Sequence, residues 1–170
     1  MTYPRYPIDI RAYIERSQNA PCFICEIAAH SAGERPLIYE DETAIVFFSK
    51  HQLLYGYTLV APRRHREQVT GDFSLDEYSA LQKVIYRVAE ALRQEVPTER
   101  LYVLSLGSQQ GNRHVHWHLA PLPPGVPYEE QQLYALRLER GVLKVPEAEL
   151  AALAVRLRRR MEGLDNGRPA

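Results

Sequence analysis

The sequence has little of several features that would assign a protein to a class at once. Its two cysteines, Cys22 and Cys25, are too few and too close together for a disulfide framework. Lysine plus arginine and aspartate plus glutamate number 21 each, so no excess of one charge attracts nucleic acid or an anionic membrane. No apolar run reaches the ~18 residues of a membrane span, and the N-terminal stretch lacks the apolar segment of a secretory signal. We therefore expect a cytoplasmic protein that binds neither nucleic acid nor membranes.

The order of the predicted elements indicates an α+β fold. Apolar spacing predicts a short helix over residues 8–18 and a long helix that begins at a capping box of Ser74 and Glu77. Five short segments have the composition of strands: 37–40, 44–48, 57–62, 100–106 and 113–120. One long helix between the third and fourth of these strands favours a mostly antiparallel sheet.

The character of the chain changes near Pro127. The segments YEEQQLYALRLERG and PEAELAALAVRLRRRME both predict helices, the first ending at Gly141 and the second beginning at Pro146. We therefore expect a main domain that contains the sheet over residues 1–126, with a short N-terminal helix, and a C-terminal helical extension over residues 127–170.

Three of the six histidines stand at alternate positions in one stretch: His114, His116 and His118, with Val115 and Trp117 between them. Because side chains alternate along a strand, the three imidazoles would share one face at a spacing of ~6.5–7 Å. The apolar residues between them would share the other face and anchor the strand in the core. The pattern predicts a row of titratable groups on a rigid support.

Three interpretations of this histidine row remain open. Alternating polar residues can simply face water, although any polar side chain would serve for that. Three imidazoles can hold a zinc ion if they bend toward one point. Neutral imidazole can also attack phosphorus near its ordinary pKa of ~6.5 and form a labile phosphoramidate. In this last interpretation His116 is the natural nucleophile, because it alone has a histidine on each side.

The stretch HVHWHLA, residues 114–120, resembles the signature of the histidine triad (HIT) family, in which three histidines alternate with apolar residues. Upstream, the segments CFICEIA, YEDETAIVFF and GYTLVAPRRH resemble further parts of the family, in the family's order. The resemblance covers roughly residues 21–125. It implies the family's antiparallel sheet and a nucleotide hydrolase or transferase that acts at an α-phosphate through a covalent nucleotidyl-histidine.

The resemblance also implies roles for the three histidines. His116 would be the nucleophile, His118 would support it, and His114 would lie beside the phosphate or bind metal. The substrates would be dinucleoside polyphosphates, arriving with Mg²⁺, or nucleoside phosphoramidates, and the assembly would be a homodimer. The alternatives are a non-catalytic nucleotide- or zinc-binding module and a phosphorylase that uses phosphate in place of water.

The sequence departs from the family in three places. Tyr57 stands where many members carry a histidine, and Ser49 or Lys50 stands where the family often has an aspartate that binds the ribose. Ser49 is expected to bind a substrate hydroxyl instead. The loop before the triad is short, and within it Gln110 and Asn112 are the expected contacts to phosphate.

Cys22 and Cys25 have the spacing of a two-ligand zinc knuckle. Two cysteines alone can equally be small buried apolar residues or a redox pair. Some bacterial members of the family hold zinc with this pair, a histidine just after the third strand and the first histidine of the triad. The resemblance thus implies a site of Cys22, Cys25, His65 and His114, whose four nitrogen and sulfur ligands would be typical of structural zinc.

Overall fold

The main feature of the fold is a five-stranded sheet, seen in a computed structural model that describes residues 3–31, 36–106 and 113–165. Its strands are β2 (Leu37–Glu40), β3 (Ala44–Phe48), β4 (Thr58–Pro62), β5 (Arg100–Leu104) and β6 (Trp117–Leu122), after a short β1 (Arg5–Tyr6). They lie in the order β2–β3–β4–β6–β5, and every neighbouring pair is antiparallel. A separate two-stranded sheet pairs β1 with β7 (Val142–Leu143).

Four helices accompany the sheet in the described residues: α1 (Ile10–Asn19), α2 (Phe23–Ala28), α3 (Leu75–Glu95) and α4 (Glu147–Asp165). Helix α3 begins at the predicted capping box, in which the backbone N–H of Glu77 donates to Ser74 Oγ at 3.2 Å and that of Ser74 donates to Glu77 Oε2 at 2.8 Å. It connects the third and fourth strands of the main sheet, so the predicted α+β arrangement is confirmed. None of these helices combines the length and apolar character that a membrane span requires.

The main sheet is covered on both faces, which is why every residue of β3 and β4 is buried. On one face Val46, Val60 and Trp117 join a cluster with α3. On the other face Phe47 and Leu59 join a cluster with α2. Alternation along the strands therefore gives each face its own core.

The C-terminal part contains one predicted helix and not the other. Helix α4 begins after Pro146 as expected, and its Leu153 and Leu157 belong to the same buried cluster as α3. The predicted helix over 128–141 is wrong, because three short 3-10 helices occupy Tyr128–Glu130, Gln132–Leu136 and Leu138–Arg140. Gln132 has a φ of +54°, which a continuous α-helix does not tolerate. The division of the chain at residue 126 stays a prediction.

Strand β6 begins later than predicted, so the expected row of three histidines on one strand is wrong. His114 and His116 precede the strand and only His118 lies within it. Strand β4 pairs with β6 as far as Val60 opposite Trp117. Two residues further along β4 stands Pro62, which has no N–H to continue the ladder.

Candidate functional site

His118 lies on the face of β6 that is opposite to the α3 cluster. Its partner across the strand pair is Leu59, and its ring is half-buried beside that of His116, with ring centroids 4.7 Å apart. The Nδ1 atom of His118 lies 2.9 Å from the hydroxyl of Tyr57. The rings of Tyr57 and His118 stack at 5.7 Å between centroids, so both Tyr57 and His116 pack against the imidazole of His118.

His116 has one ring nitrogen engaged by the backbone. Its Nδ1 lies 2.8 Å from the carbonyl oxygen of His114, which can only accept a hydrogen bond. The proton of the neutral ring is therefore on Nδ1, and Nε2 carries the lone pair. Ser105 Oγ donates to the carbonyl oxygen of His116 at 2.8 Å and fixes the backbone at the same residue. The arrangement leaves Nε2 as the nitrogen that can act as a nucleophile.

The rings of His116 and His118 line a cavity of about 360 Å³, a volume ordinary for small-molecule sites. The lining also includes Arg16 and Lys50, and it contains no carboxylate among the described residues. The remaining lining residues are Tyr13, Ser17, Ala20, Pro21, Phe23, Ser49, His51 and Leu59. Two cations, hydroxyls and imidazoles without an opposing acid make the cavity suited to an anionic ligand.

Burial keeps both cavity imidazoles neutral. It lowers the pKa of His116, although the hydrogen bond to the carbonyl of His114 acts in the opposite direction. Burial, with a smaller contribution from the neighbouring His116, lowers the pKa of His118 to about 3. At neutral pH the lone pair of His116 Nε2 is therefore available instead of being protonated.

The loop between β3 and β4 is held by the buried amide of Gln52. Its Nε2 donates to the carbonyl oxygens of Ser49 and Tyr57, both at 2.8 Å. Its Oε1 accepts from the backbone N–H groups of Gly56 and Tyr57, both at 3.1 Å. These four bonds fix the two ends of a loop that carries Ser49 to the cavity and Tyr57 to the ring of His118. No motif in the sequence singles out Gln52, because its role depends only on how the loop closes.

A second group of side chains lies beside the cavity, where Cys22, Cys25, His65 and His114 bring four ligand atoms within 4.8 Å of one another. We call it the Cys-His cluster. His114 Nδ1 lies 3.5 Å from the sulfur of each cysteine, and His65 Nδ1 lies 3.3 Å from Cys25 Sγ. Sulfur and nitrogen ligands of a tetrahedral zinc ion, at ~2.3 Å and ~2.0–2.1 Å from the metal, are themselves ~3.5 Å apart. The cluster therefore has the dimensions of a metal site.

Both histidines of the cluster use their other ring nitrogen for a hydrogen bond. His114 Nε2 donates to the carbonyl oxygen of Pro62 at 2.9 Å, and His65 Nε2 lies 3.3 Å from Glu67 Oε1. A bond of this kind sets the tautomer of a ligating histidine and leaves its other nitrogen as a ligand. Burial lowers the pKa of His114 to about 4, which keeps the ring in the neutral form that a metal needs.

The predicted site residues separate into three groups. His116, His118 and Ser49 line the cavity, where Ser49 Oγ donates to the carbonyl oxygen of His51 at 3.1 Å. His114 is fully buried, and its ring joins Cys22, Cys25 and His65 in the Cys-His cluster. Gln110 and Asn112 lie outside the described residues.

Helix α1 contributes cavity residues that no motif in the sequence indicates. Tyr13, Arg16 and Ser17 all line the cavity, and the ring of Tyr13 packs edge-on against His51 at 5.2 Å. The helical spacing in this segment predicts the helix but not its contact with the site. Only the tertiary fold brings α1 next to the loop that follows β3.

The fold and the site together define a histidine triad protein. A family model of the HIT domain matches residues 32–124, and the chain belongs to the HIT family. It is 31% identical over 108 residues to the protein named "Protein hit" of Bacillus subtilis, a match that covers 59% of this chain and 70% of that protein.

Solved structures of the family have the same fold. A hypothetical histidine triad nucleotide-binding protein of Sulfolobus tokodaii superposes with a TM-score of 0.67 at 24% identity, covering 85% of this chain and 94% of that one. A zinc-bound histidine triad family protein of Mycobacterium smegmatis gives a TM-score of 0.66 at 20% identity, covering 86% and 97%. At these identities the likeness supports the fold alone.

Proposed function

We propose that this protein is a nucleotide hydrolase or transferase that cleaves at the α-phosphate of a nucleoside phosphoramidate or a dinucleoside polyphosphate. The observation that carries the proposal is the hydrogen bond from His116 Nδ1 to the carbonyl oxygen of His114. It leaves Nε2 of a cavity-lining ring with its lone pair, as a nucleophile at phosphorus requires. The cationic lining of the cavity favours a phosphate ligand.

The reaction has two steps. His116 Nε2 forms a bond to the α-phosphorus while the bond from phosphorus to the leaving group breaks, and the leaving group departs with the electron pair and takes up a proton from solvent. Water then attacks the phosphorus of the nucleotidyl-histidine and the P–N bond breaks. A nucleoside monophosphate and neutral imidazole are released, and the proton lost by the attacking water returns to solvent. His118 supports the nucleophile His116, and Ser49 binds a substrate hydroxyl. We also propose that Gln110 and Asn112 contact the phosphate of the substrate.

Product analysis tests the proposal and separates it from its alternatives. The purified protein is incubated with adenosine phosphoramidate or diadenosine tetraphosphate, with and without inorganic phosphate. AMP with ATP from the tetraphosphate indicates hydrolysis, whereas ADP with ATP that depends on phosphate indicates a phosphorylase. Mass spectrometry of acid-free quenched samples should find the AMP adduct on His116. Nucleotide binding without turnover of either compound would make the protein a non-catalytic module.

We also propose that the Cys-His cluster holds a structural zinc ion. The donor set is the one zinc prefers, four ligands leave no open position, and the M. smegmatis relative is zinc-bound. The ion would tie α2 to the segment before β6. Metal analysis of protein purified without chelators should find about one zinc per chain, and less than ~0.2 equivalents would contradict the proposal. Because the described cavity lining contains no carboxylate, Mg²⁺ would arrive on a polyphosphate substrate.

The proposed assembly is a homodimer in the cytoplasm, with nucleotides as ligands and no nucleic acid partner. Sedimentation equilibrium measures the assembly, since a dimer has twice the 19.6 kDa mass of the chain. Titration with a DNA or RNA oligomer at low salt tests the predicted lack of nucleic acid binding.

A further inference from the structure

Tyr57 is the side chain whose hydroxyl contacts Nδ1 of His118. The residue is 6% exposed, its hydroxyl lies 2.9 Å from His118 Nδ1, and the two rings are within 19° of parallel. Tyr57 is itself fixed through its backbone by both ends of the Gln52 amide. Burial and the hydrogen bonds to Gln52 therefore hold Tyr57 in contact with His118.

The surroundings decide which group donates in this hydrogen bond. Among the described residues, the hydroxyl of Tyr57 has no hydrogen-bond partner other than His118. If His118 Nδ1–H donated, the phenolic proton would be left without an acceptor in this part of the chain, which buried donors rarely are. If the phenol donates, its proton is satisfied and His118 carries its own proton on Nε2. Burial raises the pKa of Tyr57 well above its ordinary value, so the phenol keeps that proton at neutral pH.

We propose that Tyr57 is a positioning residue that donates to His118 Nδ1 and thereby makes His118 Nε2–H a hydrogen-bond donor to a phosphoryl oxygen in the cavity. The phosphoryl ligand in this inference rests on the function proposed above. His118 gives a hydrogen bond from a neutral ring and transfers no proton, because loss of that proton would leave an imidazolate. The two cavity histidines then have opposite tautomers, with a lone pair at His116 Nε2 and a proton at His118 Nε2.

A histidine in place of Tyr57 would not determine the tautomer in this way. Either nitrogen of a neutral imidazole can be the donor, so a histidine could accept from His118 Nδ1–H as readily as donate to it. A phenol whose proton has no other acceptor donates. The tyrosine therefore removes an ambiguity that a histidine would leave.

Nuclear magnetic resonance of the full chain labelled with ¹⁵N-histidine tests the assignment without requiring turnover. Two-bond proton–nitrogen spectra report which ring nitrogen carries the proton, and the His118 signals are assigned by their loss in His118→Gln. In the wild type we expect protonated Nε2 and unprotonated Nδ1. In Tyr57→Phe the Nδ1 signal should shift, because the phenyl ring keeps the stacking but cannot donate. A proton on Nδ1 in the wild type, or an unchanged Nδ1 signal in Tyr57→Phe, would overturn the proposal.

Kinetics test the consequence for the reaction. Tyr57→Phe should lower kcat for AMP release from adenosine phosphoramidate about tenfold while KM changes little, since the lost bond acts on charge that develops at the phosphoryl oxygens. Tyr86→Phe, an exposed tyrosine of α3, is the matched control and should change neither the spectra nor kcat. An unchanged kcat in Tyr57→Phe would overturn the positioning role. A wild type without turnover would count against the proposed function only, and the spectra would still decide the role of Tyr57.

Discussion

Residues 114–116 contribute one histidine to the Cys-His cluster and one to the cavity. The two histidines use opposite ring nitrogens for a hydrogen bond to the backbone. His116 commits Nδ1 to a carbonyl oxygen and keeps Nε2 for the cavity. His114 commits Nε2 to a carbonyl oxygen and keeps Nδ1 for the cysteines. The difference teaches that the chemistry of each histidine in the motif depends on which backbone acceptor its ring reaches. In the function proposed above, a triad of identical residues thus supplies a nucleophile and a metal ligand.

The largest difference between the two regions is expected when the proposed nucleophile is removed from the cavity. His116→Asn should lower AMP release by about 10³-fold or more if the residue forms the proposed bond to phosphorus. Zinc content and melting temperature should stay near those of the wild type, since the Cys-His cluster is untouched. The control is His30→Asn, a mostly exposed histidine that pairs with Glu40 at 3.3 Å. Turnover near the wild-type rate in His116→Asn would exclude His116 as nucleophile.

Disrupting the Cys-His cluster should change the quantities that His116→Asn leaves unchanged, namely zinc content and stability. Cys22→Ser should abolish stoichiometric zinc and lower the free energy of unfolding by about 3 kcal/mol, because α2 loses its tie to the segment before β6. Metal analysis and urea denaturation give the two quantities. A chelator should lower the stability of the wild type toward that of Cys22→Ser and leave the variant unchanged. Equal zinc content in the two proteins would contradict the assignment of the ligand.

Removing the buried amide that closes the β3–β4 loop should affect the cavity region without touching the cluster. Gln52→Leu leaves the carbonyls and N–H groups of the loop without their side-chain partner, at a cost of about 2 kcal/mol in unfolding free energy. Denaturation with urea measures the change, and zinc content should remain at the wild-type value. A loss below about 0.5 kcal/mol would mean that water replaces the amide in these bonds.

The smallest effect is expected when the side chain proposed to contact a substrate hydroxyl is removed. Ser49→Ala should raise KM for adenosine phosphoramidate about three- to tenfold, the effect of one neutral hydrogen bond, and leave kcat nearly unchanged. Steady-state kinetics measure both constants. The comparison with a 2′,3′-dideoxyadenosine phosphoramidate provides the control, because that substrate offers no ribose hydroxyl to lose. Equal KM changes for both substrates would show that Ser49 contacts another group.

The local patterns of the sequence predict much of this architecture. The capping box at Ser74, the bounds of β2 and β3, and the alternation of Trp117 with His118 depend on neighbours within a few residues, and all three are present. The four members of the Cys-His cluster follow from family resemblance, and the fold brings their ligand atoms together.

The features that the sequence does not predict all depend on contacts between distant segments. Tyr13 and Arg16 reach the cavity only because α1 packs beside the loop after β3. The positive φ of Gln132 accompanies a hydrogen bond from its N–H to the hydroxyl of Tyr102, 30 residues earlier in the chain. The pairing of β4 with β6 ends at Val60, two residues before Pro62, which has no N–H to donate. Periodicity within a segment contains none of this information.

His114 couples ligand binding in the two regions. Its ring belongs to the Cys-His cluster, and its carbonyl oxygen accepts the hydrogen bond from His116. An ion bound to the cluster would order His114, and a nucleotide bound in the cavity would require His116 to be ordered. Both ligands therefore favour the same conformation of this segment. By linkage, each ligand should therefore raise the affinity for the other by an equal factor. Saturation with AMP should slow the transfer of zinc from the protein to a competing chelator.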